Sequence, residues 1–136
     1  MVTQQDLDRW REMQIRTQTP ERLLVMLFDA LLVRIGEARS AIAASQIEAA
    51  HNALVGGQDL LGGLAAAFNP DWPPTANLRR IFAFCRRRLM DANFEKAAAP
   101  LDEVEPLLRE LRETFLQVAE RGRDAAPGAA RIDIAG

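Results

Sequence analysis

Apolar residues recur along this chain at intervals of three and four, the spacing that places them on one side of an α-helix. Four such runs are separated by short segments that cannot continue a helix. The first carries Leu24, Leu27, Leu31, Ile35, Ala38 and Ile42, and the second Ile47, Ala50, Leu54, Gly57, Leu61, Leu64 and Phe68. The third carries Leu78, Phe82, Cys85 and Leu89, and the fourth Leu101, Val104, Leu108, Leu111, Phe115 and Val118. The alternation in Arg131-Ile132-Asp133-Ile134 is too short to predict a strand.

Local signals place the ends. Thr19-Pro20-Glu21 starts the first helix, with a hydroxyl to cap, a proline at the first helical position and an acid at the positive end of the dipole. That helix is expected to reach about Ala44. Ser45-Gln46-Ile47-Glu48 reads as a capping box opening the second, which should stop near Phe68 before Asn69-Pro70-Asp71-Trp72-Pro73-Pro74. The third follows Thr75 and runs through Asn93. The fourth starts around Pro100 and ends near Arg121, before Gly122. Pro106 lies inside it, which predicts either a kink or a later start of its regular part. Short connections make successive helices antiparallel, so the expected architecture is all-α: an antiparallel up-down four-helix bundle. Residues 1–18 are expected to form a short N-terminal cap or lid segment, 19–121 the bundle, and the Ala-, Gly- and Pro-rich residues 122–136 a disordered tail.

Composition excludes several classes. With 49% apolar and 26% charged residues the chain is too hydrophobic for a disordered protein. It has no apolar run near the roughly 20 residues a bilayer span needs, so no membrane insertion is expected. Its N-terminus has neither a basic start nor an apolar stretch behind it, and the expected location is cytoplasmic. The formal charge of −2 excludes bulk polycation binding to nucleic acid. Cys85 is the only cysteine and sits in an apolar stripe, where a buried, unreactive thiol is expected.

Tests for chemistry find little. The chain carries no Walker-type glycine loop, Gly-x-Ser-x-Gly elbow or paired-cysteine motif, and Gly56-Gly57 and Gly62-Gly63 fall within helical pattern. Glu48 and His51 make one E-x-x-H, but a di-iron bundle needs that unit twice and His51 is the only histidine. No catalytic residue, cofactor or metal is therefore expected, and the chain reads as a non-enzyme. Arg79, Arg80 and Arg86 to Arg88 are the best case for a nucleic-acid surface, yet three consecutive helical residues fan over about 200°.

The informative feature is surplus. Val25, Phe28 and Leu32 widen the apolar arc of the first helix to about 200°, beyond the somewhat over 100° that core packing needs. Ile81 and Phe84 do the same on the third. These five are the expected contacts for a guest helix, with Leu7, Trp10 and Ile15 as a lid that covers them in its absence.

The segment Gln14-Ile15-Arg16-Thr17-Gln18-Thr19-Pro20-Glu21-Arg22-Leu23-Leu24-Val25-Met26-Leu27-Phe28-Asp29-Ala30 resembles the opening of the FliS family of flagellin export chaperones. There an extended stretch ending in Ser-Pro or Thr-Pro leads into a Leu-rich helix that closes on Tyr-Asp-Gly. Gln58 to Leu61, Asn77 to Phe84 with Arg88-Leu89 and Ala92-Asn93, and Pro100 to Val104 with Leu111 to Phe115 resemble its later helices in order and spacing. The likeness covers about Leu7 to Arg121. It implies a cytoplasmic helical bundle that binds the C-terminal segment of flagellin and prevents premature polymerisation. It also implies delivery to the cytoplasmic domain of the export gate FlhA, and a movable N-terminal segment whose aromatic position is Trp10. The chain departs from the pattern in having no tyrosine: Phe28, Phe82 and Phe84 stand where the family usually has one, Ala30 replaces the common Gly and Phe115 a frequent Trp. Ring packing survives those changes and phenol hydrogen bonds do not. Two other readings remain open, a helical adaptor for a different export substrate or regulator and a nucleic-acid-binding bundle using the arginines.

Overall fold

A computed structural model describes residues 3–9 and 19–121. All the regular structure among them is helical: a short stretch over residues 4–9 and four long helices, α1 (Pro20–Ala43), α2 (Ile47–Ala67), α3 (Thr75–Glu95) and α4 (Ala99–Arg121). Trp10, Ile15 and the tail expected over 122–136 lie outside the described residues.

Each long helix begins and ends for a local reason. Thr19, extended at φ −68° and ψ 157°, accepts the Arg22 N–H at 3.2 Å through its hydroxyl, and Pro20 follows it. The α1 terminus departs from expectation. Ser45 is left-handed at φ 56°, its N–H reaches Ile42 O at 3.1 Å, and the Gln46 N–H reaches Ala41 O at 2.8 Å. Those paired bonds form a Schellman motif, so Ser45 closes α1. An N-cap needs an extended backbone, and α2 accordingly has no side-chain cap: the Ser45 to Glu48 capping box does not form.

At the far end of α2, Phe68 turns extended and Arg79 of α3 supplies the donors its last carbonyls lack, to Ala65 O at 3.0 Å and Phe68 O at 3.4 Å. Thr75, a buried polar residue, is satisfied by donating to Asn69 O at 2.6 Å. Lys96, left-handed at φ 51°, ends α3. Helix α4 starts at Ala99 and continues through Pro106, so its regular part does not begin later. Pro106 is exposed, which lets water reach the carbonyl one turn back that loses its amide partner.

The helices pack in a ring, α1 against α2, α2 against α3, α3 against α4, and α4 against α1. Arg39 near the end of α1 pairs with Asp102 (2.7 Å) and Glu105 (3.3 Å) near the start of α4, while Asp29 earlier in α1 pairs with Arg112 later in α4. Those two helices are therefore antiparallel. So are α2 and α3, joined by His51 to Asn93 (3.0 Å) at one end and Ala65 to Arg79 at the other.

The ring encloses one core. At its centre Phe28, Phe68, Phe82 and Phe115 meet with ring centroids 5.4 to 6.1 Å apart, within the range where aromatic pairs attract. The buried stripe of α1 is Leu24, Phe28, Leu31, Ile35, Ala38 and Ala41, rotated from the one expected: Leu27 and Ile42 are half-buried. Ile47, expected in the α2 stripe, is 67% exposed.

Candidate functional site

The five expected guest contacts do not share one surface. Phe28 is fully buried in the aromatic core and Val25 nearly so, which corrects the expectation that Phe28 lies on an exposed flank. The reason is positional: 24, 28, 31 and 35 are four and three residues apart, so Phe28 belongs to the inward stripe itself. Leu32 and Ile81 are half-buried against the core, and Phe84 is 38% exposed. Leu7 sits in the exposed stretch 4–9, which Thr3 and Asp6 start by capping each other's backbone N–H at 3.2 Å.

Val25 and Leu32 line the valley between α1 and α4. One cavity there, of about 270 Å³, is walled by Arg22, Val25, Met26, Leu116 and Ala119. A second, of about 530 Å³, is walled by Asp29, Leu32, Val33, Arg109, Arg112 and Glu113. The α4 residues and the exposed Met26 and Val33 were not singled out from sequence, although Met26, Asp29 and Val33 already sit one turn apart on α1.

An ion pair crosses this valley. The Arg112 Nε donates to Asp29 Oδ1, and a longer contact of 3.5 Å joins Arg112 Nη2 to Oδ2. The pKa of Arg112 is raised, chiefly by that hydrogen bond, so its charge is secure at any physiological pH.

Ile81 and Phe84 are on α3 and wall neither cavity. They share a face of α3 with Arg88, which bonds Asp91 at 2.8 Å and also reaches Glu103 of α4. The arginine series is thus partly committed, Arg79 to the end of α2 and Arg88 to these acids, leaving Arg80, Arg86 and Arg87 exposed. The outer face of α3 also carries Met90 and Phe94, the latter 92% exposed, and neither stood out from sequence.

No group of three or more potential metal ligands occurs among the described residues, and His51 is exposed, hydrogen-bonded to Asn93. No described helix is long and apolar enough to cross a membrane. The Cys85 thiol is fully buried and its pKa is pushed up to about 11 by burial, so it is not a nucleophile at neutral pH.

What distinguishes this surface is an open valley between two helices, apolar at one end and charged along α4 at the other, a groove of the shape into which helical domains can dock a partner helix. The chain belongs to the FliS family: the family described as flagellar protein FliS matches residues 3–122. It is 25% identical over 132 residues to the flagellar secretion chaperone FliS of Bacillus subtilis, a match that covers 97% of this chain and 99% of that protein. It is 30% identical over 103 residues to the flagellar secretion chaperone FliSB of Pseudomonas aeruginosa, covering 74% of this chain and 82% of that protein.

Proposed function

We propose that this chain is a cytoplasmic flagellar export chaperone, an antiparallel four-helix bundle that holds the C-terminal amphipathic segment of flagellin in the α1–α4 valley. It keeps that segment from polymerising and delivers it to the cytoplasmic domain of the export gate FlhA. The observation that carries this reading is the valley: Val25, Met26, Leu116 and Ala119 give its first cavity apolar walls on both helices, and Leu32 and Val33 continue the apolar wall along α1. Burying one large apolar side chain is worth roughly 1.5 to 3 kcal/mol, so a few guest side chains seated there outweigh the cost of ordering them. The chemistry is reversible burial, and the relatives' names, chaperones rather than enzymes, fit it.

In this reading Val25 and Leu32 touch the guest, and Phe28 holds the floor beneath them from within the core. Ile81 and Phe84 extend the contact to α3, and Leu7, Trp10 and Ile15 form the lid that the guest displaces. The test is to mix the purified protein with flagellin that retains or lacks its last few dozen residues and look for a soluble one-to-one complex. The intact form is expected to give it; equal complex formation by the truncated form would place the client segment elsewhere.

A further inference from the structure

The valley between α1 and α4 is not continuous. The Asp29–Arg112 ion pair bridges it and itself walls the near end of the cavity of Leu32, Val33, Arg109 and Glu113, with the cavity of Arg22, Val25, Met26, Leu116 and Ala119 on its other side. Resting on the groove reading above, we propose that this bridge sets the register of the guest: apolar side chains two helical turns apart, with a polar side chain between them that lies over the ion pair.

The spacing follows from α1 itself. Val25 and Met26 wall the first cavity and Leu32 and Val33 the second, seven positions further on, which is about 10 Å along a helix. A guest helix lying along the valley presents residues i and i+7 at that separation and on the same face. Residues i+3 and i+4 then fall at the bridge. There they meet a guanidinium and a carboxylate whose side chains are 30% and 48% exposed, so both charges still draw on water.

An apolar guest residue at that point strips this water and returns no hydrogen bond, which is costly for charged groups. A glutamine, serine or acid keeps a partner on Arg112 or Asp29. The second cavity agrees with the same class of guest, since Leu32 and Val33 offer it an apolar wall on α1 while Arg109, Arg112 and Glu113 give α4 a charged one. The bridge therefore discriminates between an amphipathic helix with a polar break and a uniformly greasy one. Such a device suits a protein that must take one segment and refuse other exposed apolar helices.

The test uses two synthetic helical peptides that carry leucines at i and i+7 and differ only at i+3 and i+4, glutamine in one and leucine in the other. Both are titrated calorimetrically into the full-length wild type and the double variant Asp29→Leu/Arg112→Leu. A flagellin C-terminal peptide serves as a third ligand. Wild type is expected to favour the glutamine peptide about tenfold, equivalent to about 1.4 kcal/mol, and the double variant to reverse the order. A second double variant, Asp29→Asn/Arg112→Gln, keeps side-chain size and is expected to shrink the preference to within about twofold, which covers the case in which the leucine pair does not fold. If wild type binds the flagellin peptide but ranks the two synthetic peptides as the variants do, the register proposal is overturned and the groove stands. If wild type binds none of the three, the groove reading falls and takes this proposal with it.

Discussion

Phe28 of α1 stacks on Phe115 of α4, with ring centroids 5.9 Å apart and planes 16° from parallel. Each stands next to the ion pair at the surface, Phe28 one residue before Asp29 and Phe115 one turn beyond Arg112. The stack thus forms the floor under the point where the valley is bridged. Truncating Phe28 to alanine should cost roughly 3 to 5 kcal/mol of stability, the range for a buried phenylalanine. Urea unfolding measures it; a loss below about 1 kcal/mol would mean the ring is not part of the core.

Met26→Asp and Val33→Asp place a charge on the exposed apolar walls of the two cavities. Both should weaken binding of the flagellin C-terminal segment tenfold or more, because each removes about 1.5 kcal/mol or more of apolar burial. The helical circular dichroism should hardly change, since both side chains face solvent. Phe94→Ala, on the outer face of α3, should leave that affinity unaltered. Calorimetry on the three variants decides whether the guest lies against α1 and α4.

Ser45 is held at φ 56°, a conformation that L-residues other than Asn and Asp seldom adopt and that glycine adopts freely. Ser45→Gly should therefore raise stability by about 0.5 to 1 kcal/mol, read as an increase in Tm. A capping role for the hydroxyl predicts the opposite sign, so the direction alone discriminates.

The glycines of α2 should respond in opposite ways. A Cβ on Gly62 or Gly63 meets nothing within 4 Å, so alanine at either position should stabilise by about 0.5 to 1 kcal/mol through reduced chain entropy and better helix propensity. A Cβ on Gly57 would lie 2.8 Å from Cδ2 of the fully buried Leu89, so the leucine must shift within the core to admit it. Gly57→Ala should cost about 1 to 3 kcal/mol by overpacking. Thermal melts of the three single variants check the contrast.

Burial raises the Cys85 thiol to about 11, well above the ordinary value of about 9 for an exposed thiol. The unfolded chain ionises first as pH rises, so this contribution to stability is complete below about pH 9 and is lost progressively between 9 and 11. Below that window thiol reagents should react slowly with the native protein and quickly once it is unfolded. Rapid native-state labelling at pH 8 would contradict the burial.

Among the described residues, the four long helices and most of their boundaries were legible in the sequence because they rest on local physics, whereas the helical stretch over 4–9 was not. Thr19-Pro20 sets a start and Asn69-Pro70 a stop, whatever surrounds them. Where a local signal had a rival, the sequence misled: Ser45 has the chemistry of an N-cap, yet the two backbone bonds of the Schellman turn claimed it for the end of α1. On α1 the apolar residues cover so wide an arc that periodicity does not say which edge faces inward, and Phe28, which the sequence places on the flank, packs in the core.

The pattern of apolar and polar residues by itself determined the four long helices and their apolar stripes, since periodicity and helix signals act over a few neighbouring residues. Only the packing of α1 against α4 decided which apolar side chains are absorbed by the core, Phe28 among them, and which are left at the surface, such as Met26 and Val33. A groove is made by side chains far apart in the chain, and Asp29 and Arg112, which divide this one, are brought together by no local signal.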